Sequence, residues 1–391
     1  MFELRQNIFT LFLLLCLLSC SSNPKPPIEP QNNTFISKPE VTFNLKSLPK
    51  QINVFYFNSS VDGQNSSPLL KGITDNYYYY KKRIGYTPEL NFIDFSDNVN
   101  CKENITLLRK SFSIGLFLNQ DYSQLGNSCY ERFIETKGLV VSNDKIQGIR
   151  DQIFRTFSIN READISSLLN IARNNGDQRA IIIDDSTTRD KTLLEKTWKN
   201  MDGEVVYSIS SEKGISSQKL LSKILLLDQS NIRSRKLSRI IGLQINSKPR
   251  RREDIDSIFL STSLSNARSL KPALEYNFAD NISVYLIPSW RGREYLKESE
   301  LDLENVIISE IPFLLNTKIS FQETNPANKS RNYAIGYDTF ELVLLLSANP
   351  RRNFNYFGLT GLITNEYPII KKEVLSARVV NGKLKYLDYT D

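Results

Sequence analysis

Short apolar runs of β-branched and aromatic residues alternate along this chain with segments whose apolar positions recur every three to four residues. "INVFYF", Ile52 to Phe57, is the first such run, and the turn-forming "NSSVDG" breaks it. Leu69, Ile73, Tyr77, Tyr80 and Ile84 then share one stripe, which predicts a helix over "LLKGITDNYYYYKKRI" with a tyrosine-rich inner face. We read those tyrosines as packing residues rather than as a ligand platform. "ELNFIDF", "SIGLFL" from Ser113 and "KGLVVS" from Lys137 follow as strands. Their β-α-β order predicts a parallel sheet covered on both faces.

The pattern restarts after a change of texture near Asn143. "READISSLLNIARNNG" places Ile165, Leu168, Leu169 and Ala172 on one helical stripe, with Gly176 positioned to end it. "AIIIDD" (Ala180 to Asp185) reads as a buried strand, "KTLLEKTWKNMDG" as a helix ending at Gly203, and "EVVYSIS" as the next strand. "PRRREDIDSIFL", from Pro249, reads as a solvated approach to a strand running to Ser263, because Ile255, Ile258, Phe259 and Leu260 can be buried and the preceding charges cannot. Glu253, Asp254 and Asp256 have no identifiable catalytic partner, and we expect surface ion pairs there. "NARSLKPALEYNFADN" predicts a helix with Ala267, Leu270, Ala273 and Leu274 inward, and "ISVYLIP" the strand completing the unit. Two consecutive parallel α/β units predict two lobes with a cleft between them as the natural ligand site.

The first residues change the compartment. "MFELRQNIFTLFLLLCLLSC" has an early cation, Arg5, and an apolar run from Ile8 to Leu18 too short to span a bilayer, as in a secretory signal. Leu17, Leu18, Ser19 and Cys20 resemble a bacterial lipobox, so residues 1–19 are expected to be a lipoprotein signal peptide and Cys20 the lipidated residue. The alternative is an ordinary signal peptide with an accidental cysteine. Each acyl methylene buried in the bilayer would contribute roughly 0.8 kcal/mol to anchoring. Ser21 stands where an aspartate would favour inner-membrane retention, which suggests the outer membrane, facing the periplasm. Residues 20–50, with Pro24, Pro26, Pro27, Pro30 and Pro39 among polar residues, read as an extended tether.

Residues 51–391 remain for a folded body, and 40% hydrophobic with 10% aromatic content is globular. Outside the cytoplasm, the net charge of +7 points to cell-wall polymers, anionic lipids or proteins rather than nucleic acid. Cys16 leaves with the signal, so Cys101 and Cys129 are the cysteines of the body, a disulfide in an oxidising compartment or else two free thiols. The chain has no histidine, which excludes Ser-His-Asp and Cys-His catalysis and the usual zinc sites. We assign no catalytic residue, metal or cofactor.

"PRRREDIDSIFLSTSLSNARSLKPALEYNFADNISVYLIPS", then "DLENVIISEIPFLL", "AIGYDTFELVLLL", "YFGLTGLIT" and the closing "NGKL" resemble, in order, the LppC/LpoA family of penicillin-binding protein activators. The resemblance spans about Gln51 to Tyr386 and is most specific from Arg250 onward. It implies a type I periplasmic-binding-protein-like fold, two Rossmann-like α/β lobes joined by three crossover segments. By position these fall near Asn143, Ser289 and Pro350, giving lobe 1 as about 51–143 and 290–349 and lobe 2 as about 144–289 and 350–391. It also implies a non-catalytic outer-membrane lipoprotein that reaches through peptidoglycan to activate a class A penicillin-binding protein, a bifunctional peptidoglycan synthase. Long family members carry a helical repeat domain where this chain has the proline-rich tether. Trp290, Arg291 and Arg293 are the partner-surface candidates, with a hinge or packing role for Trp290 as the alternative. Ser59 and Ser60, with Tyr337 and Asp338, are the cleft candidates. The main rival function is a solute-binding lipoprotein for amino acids or similar metabolites. A glycan-cleaving enzyme would need a pair of carboxylates across a cleft, which the sequence does not locate.

Overall fold

The computed structural model describes residues 44–56, 67–94, 112–117, 138–142, 155–158, 161–185, 190–210, 216–277, 279–288, 299–315, 330–348, 353–366 and 369–387. Strands β1 (Gln51–Tyr56), β2 (Glu89–Asp94), β3 (Phe112–Phe117), β4 (Gly138–Ser142) and β5 (Arg155–Ser158) pair in parallel, in the order β5-β4-β3-β1-β2. Helix α1 (Ser67–Ile84) links β1 to β2. Its stripe is as expected: Leu69, Ile73 and Tyr80 are buried, with Tyr77 and Ile84 packed at the margin of the same core.

The second sheet takes β6 (Arg179–Asp184), β7 (Glu204–Ser210), β8 (Ser257–Ser261), β9 (Ser283–Leu286) and β10 (Ile307–Glu310), parallel in the order β10-β9-β8-β6-β7. Alternate residues feed two cores. Ile181, Ile183, Ile258 and Leu260 face helices α4 (Ser217–Ile224) and α6 (Leu264–Tyr276). Ala180, Ile182 and Phe259 face α2 (Glu162–Asn174) and α3 (Asp190–Asn200). Burial on both faces explains why these strands are continuously apolar in sequence. Trp198 of α3 lies edge-on to Phe259, 5.1 Å between centroids, and its indole N–H donates to the Glu204 carbonyl at 3.1 Å. One further helix, α5 (Leu227–Ile241), follows α4.

The arginine-rich stretch is the predicted solvated approach. Arg250 pairs with Glu253 at 3.0 Å on the surface, and Arg252 grips Asp254 with two hydrogen bonds of 2.6 Å. Asp256 accepts from the backbone N–H groups of Gln178 and Arg179, fixing the entry to β8 against β6.

The C-terminal strands close both sheets. β11 (Phe354–Gly358), β12 (Gly361–Glu366) and β13 (Ile369–Glu373) form an antiparallel meander whose last strand runs parallel to β5. β14 (Leu375–Val380) pairs antiparallel with β10 and turns through Asn381 and Gly382, both at positive φ, into β15 (Lys383–Leu387).

Strand pairing therefore moves all three crossings from their expected positions. The first follows the end of β5 at Ser158 rather than falling near Asn143; the second leaves β10 after Glu310 rather than near Ser289; the third is Val374 rather than Pro350. The reason is local. Phe157 is the one large apolar residue of "RTFS", so nothing in the sequence marks β5, and the strands after Pro350 return to the first sheet before β14 passes to the second.

Helix α7 (Arg331–Ala348) packs across α1 at very short range. A Cβ on Gly336 would stand 2.0 Å from the Leu69 carbonyl oxygen, and one on Gly72 would stand 2.1 Å from that of Tyr333. Both positions must be glycine for the backbones to touch. Beside this contact Tyr80 donates to the buried Glu341 carboxylate, and Asn76 donates to the Tyr337 carbonyl at 2.7 Å.

Candidate functional site

Each crossing brings charge to one place. Arg161 immediately precedes α2, Asp164 lies in its first turn, Glu310 ends β10, Arg331 opens α7, and Lys372 lies two residues before Val374. Arg331 Nη2 donates to Asp164 Oδ2 at 2.7 Å and also to Glu310 Oε1. Arg161 Nε reaches the same Asp164 oxygen at 3.3 Å, and its Nη1 donates to the Pro288 carbonyl. Asp164 and Glu310 are fully buried, and Lys372 is 8% exposed. Among the described residues, Lys372 Nζ and the Nε and Nη1 atoms of Arg331 have no hydrogen-bond partner.

Three cations, two of them partly exposed arginines, thus meet two fully buried carboxylates. Burial alone would raise the Asp164 pKa, but Arg331, Lys372 and Arg161 outweigh it and hold the carboxyl below its ordinary value. For Lys372 burial wins. Although Asp164 and Glu310 oppose it, desolvation, reinforced by the two arginines, brings the ammonium from 10.5 down to about 8. Between those two pH values the unfolded chain keeps a proton that the folded chain releases, so this residue makes stability rise with pH. Lys372→Met should stabilise the fold by about 1–3 kcal/mol at pH 7, leaving two arginines balanced against two carboxylates. Denaturant titrations at pH 7 and pH 10 check this: the advantage of the variant must shrink at the higher pH. A variant less stable at pH 7 would mean that Lys372 is a required counter-ion.

The cluster contains no nucleophile paired with a base. It can tie three chain segments together and hold charge, which suits a hinge or a clamp. Among the described residues no group of His, Cys, Asp and Glu could hold a metal ion, and no helix is long and apolar enough to cross a membrane.

The structure also revises the cleft assignment. Tyr337 and Asp338 lie inside α7, 3% and 0% exposed. Asp338 accepts from the Leu359 N–H at 2.9 Å, the Thr360 N–H at 2.7 Å and the Thr360 hydroxyl at 2.6 Å, pinning the tight turn between β11 and β12 to the helix. Gly361 completes this turn at φ +124°. The segments "AIGYD" and "GLTG" are therefore two halves of one joint. The sequence carried a signal for this: "AIGYDTFELVLLL" has apolar residues all the way round with only Asp338, Thr339 and Glu341 polar, which marks a buried helix and hence a satisfied interior carboxylate. Cys20, Ser59, Ser60, Cys101, Cys129, Trp290, Arg291 and Arg293 lie outside the described residues. Sequence reasoning missed the crossing cluster.

Residues 117–374, more than half of the chain, match the family described as "LppC putative lipoprotein". The chain belongs to the LppC family. Its members named "Penicillin-binding protein activator LpoA" include one from Photobacterium profundum, 27% identical over 179 residues, which are 43% of this chain and 29% of that protein. The matched segment thus spans less than a third of the length of that relative. The C-domain of Haemophilus influenzae LpoA, a regulator of PBP1A, superposes with a TM-score of 0.59 at 14% identity, over 86% of this chain and all of that domain. A branched-chain amino acid ABC transporter protein from Rhodospirillum rubrum superposes at 0.57 with 12% identity, over 86% of this chain and 99% of its own. These likenesses establish the periplasmic-binding-protein-like α/β fold of this LppC chain.

Proposed function

We propose that this LppC protein is a non-catalytic, lipid-anchored protein of the outer membrane that binds a class A penicillin-binding protein in the periplasm and activates it, regulating peptidoglycan synthesis. The observation that carries this reading is the family match over residues 117–374, together with relatives named as penicillin-binding protein activators. Cys20 supplies the anchor, and Trp290, Arg291 and Arg293 remain candidates for the partner surface, with peptidoglycan as a further surface along the way. A Cys101–Cys129 disulfide would fit the same compartment.

Activation needs no catalytic side chain. A partner that binds the active state of a synthase more tightly than the inactive one shifts its equilibrium by that differential affinity. The likeness to the Rhodospirillum rubrum transporter protein supports a second reading, a solute-binding lipoprotein for amino acids or similar metabolites. The interior position of Tyr337 and Asp338 removes two of the polar residues such a cleft would use.

The test measures glycan polymerisation by the class A penicillin-binding protein of the same organism, in detergent, with and without the full-length chain. Direct binding with a several-fold rise in rate is expected. An active synthase that neither binds nor responds would overturn the activator reading.

A further inference from the structure

Helix α5 has its polarity reversed. Ser230, Ser234 and Ser238, spaced four residues apart, face the returning chain: the Arg250 N–H donates to Ser230 Oγ at 2.8 Å, Ser234 Oγ meets Ser247 Oγ at 2.5 Å, and the Ile245 N–H donates to Ser238 Oγ at 3.1 Å. Apart from Leu227, which is buried where the helix starts, the apolar residues face outward instead. Leu237, Ile240 and Ile241 are 51%, 80% and 55% exposed, and Leu243 just beyond the helix is 68% exposed. These are among the most exposed large apolar side chains of the described residues.

The helix also stands on an excursion of the chain between α4 and β8. Helix α4 already provides the crossover from β7 to β8, and residues 226–252 leave and rejoin it at a closed neck where the Arg252 N–H donates to the Leu225 carbonyl at 3.0 Å. From Leu227 to Lys248 five cations face one acid, Asp228, an excess of four within a chain whose net charge is +7. Arg233, Arg235, Lys236, Arg239 and Lys248 are exposed and have no ion pair among the described residues.

We propose that this arm is the docking element for the penicillin-binding protein, its apolar ridge seated in an acidic, apolar-lined groove of that partner; this rests on the activator reading above. Leu237, Ile240 and Ile241 stand at i, i+3 and i+4, the spacing of helix-in-groove anchors. The flanking arginines and lysines require an acidic rim, which steers encounter and suppresses wrong partners. The serine stripe locks helix and return segment together before binding, which reduces the entropy lost on docking. A membrane surface fits less well. The arm carries no aromatic residue between Leu227 and Arg252 in a chain that is 10% aromatic, whereas interfacial helices are anchored by tryptophan, tyrosine and phenylalanine.

The experiment uses the full-length chain in detergent with the solubilised class A penicillin-binding protein of the same organism. Binding is measured for the wild type, the double variant Leu237→Asp/Ile240→Asp, the charge reversal Arg235→Glu/Lys236→Glu, and Tyr276→Ser, a control at an exposed residue outside the arm. Both arm variants should weaken binding at least tenfold with unchanged circular dichroism and melting temperature, and the charge reversal should also flatten the salt dependence. The control should bind as wild type. Wild-type binding with undiminished affinity in both arm variants overturns the arm and leaves the activator reading intact. No binding by wild type overturns both. If synthase binding is unaffected and, in a Cys20→Ser background that removes the lipid anchor, only the chain with the native arm and not the Asp variant sediments with phosphatidylglycerol vesicles, the arm is a membrane element and the proposal is wrong.

Discussion

Replacing Arg331 with methionine is expected to destabilise the fold by about 3–5 kcal/mol, read as a fall in the denaturant midpoint. One guanidinium nitrogen of Arg331 serves both Asp164 and Glu310, and each of those carboxylates is fully buried. Truncation strands them in a low-dielectric interior, and desolvation that was offset becomes an uncompensated penalty. The effect should couple to Lys372. Arg331 helps hold the Lys372 pKa down, so its removal should raise that pKa and convert the lysine into the counter-ion the carboxylates then lack. Arg331→Met and Lys372→Met should therefore combine non-additively, the pair being worse than the sum of the single changes. A loss below about 1 kcal/mol for Arg331→Met would mean that water reaches the cluster.

Gly336→Ala is expected to destabilise by about 3 kcal/mol, the opposite sign to the same change in an exposed helix, where it would stabilise by about 1 kcal/mol. The added methyl would meet the Leu69 carbonyl oxygen at 2.0 Å and the Leu69 carbonyl carbon at 2.8 Å, and neither can rotate away as a side-chain end could. Helices α1 and α7 would have to separate, disturbing the Asn76, Tyr80 and Glu341 hydrogen bonds beside the contact. Thermal and denaturant unfolding give the sign directly. A stabilised variant would show that the helices do not meet at backbone distance.

The elements that were legible in sequence share one property: their apolar residues face the core. Strands β1, β4, β6 and β8 and helices α1, α2, α3 and α6 advertise themselves this way. β5 does not, because one phenylalanine carries its burial, and α5 does not, because serines face the returning chain and, past the buried Leu227, its apolar residues point to solvent. Crossing positions depend on which sheet a strand joins, a long-range choice that short windows cannot encode. The charge cluster is hidden for the same reason. Its members run from Arg161 to Lys372, and only Glu310 in "VIISEIPFLL" betrays itself locally, as a charge set in apolar surroundings. The assignment of Tyr337 and Asp338 to a cleft followed position in the family pattern, and burial of α7 overrode it.

Strands β11 to β15 bear on how the protein is made. β13 supplies the partner for β5 and β14 the partner for β10, with Val374 the single residue between them. Neither sheet can be completed from upstream sequence, so a chain still emerging during synthesis holds two open strand edges at once. Final assembly then waits for the last segment to arrive, and a truncation before Phe354 would leave both edges free to pair with other chains.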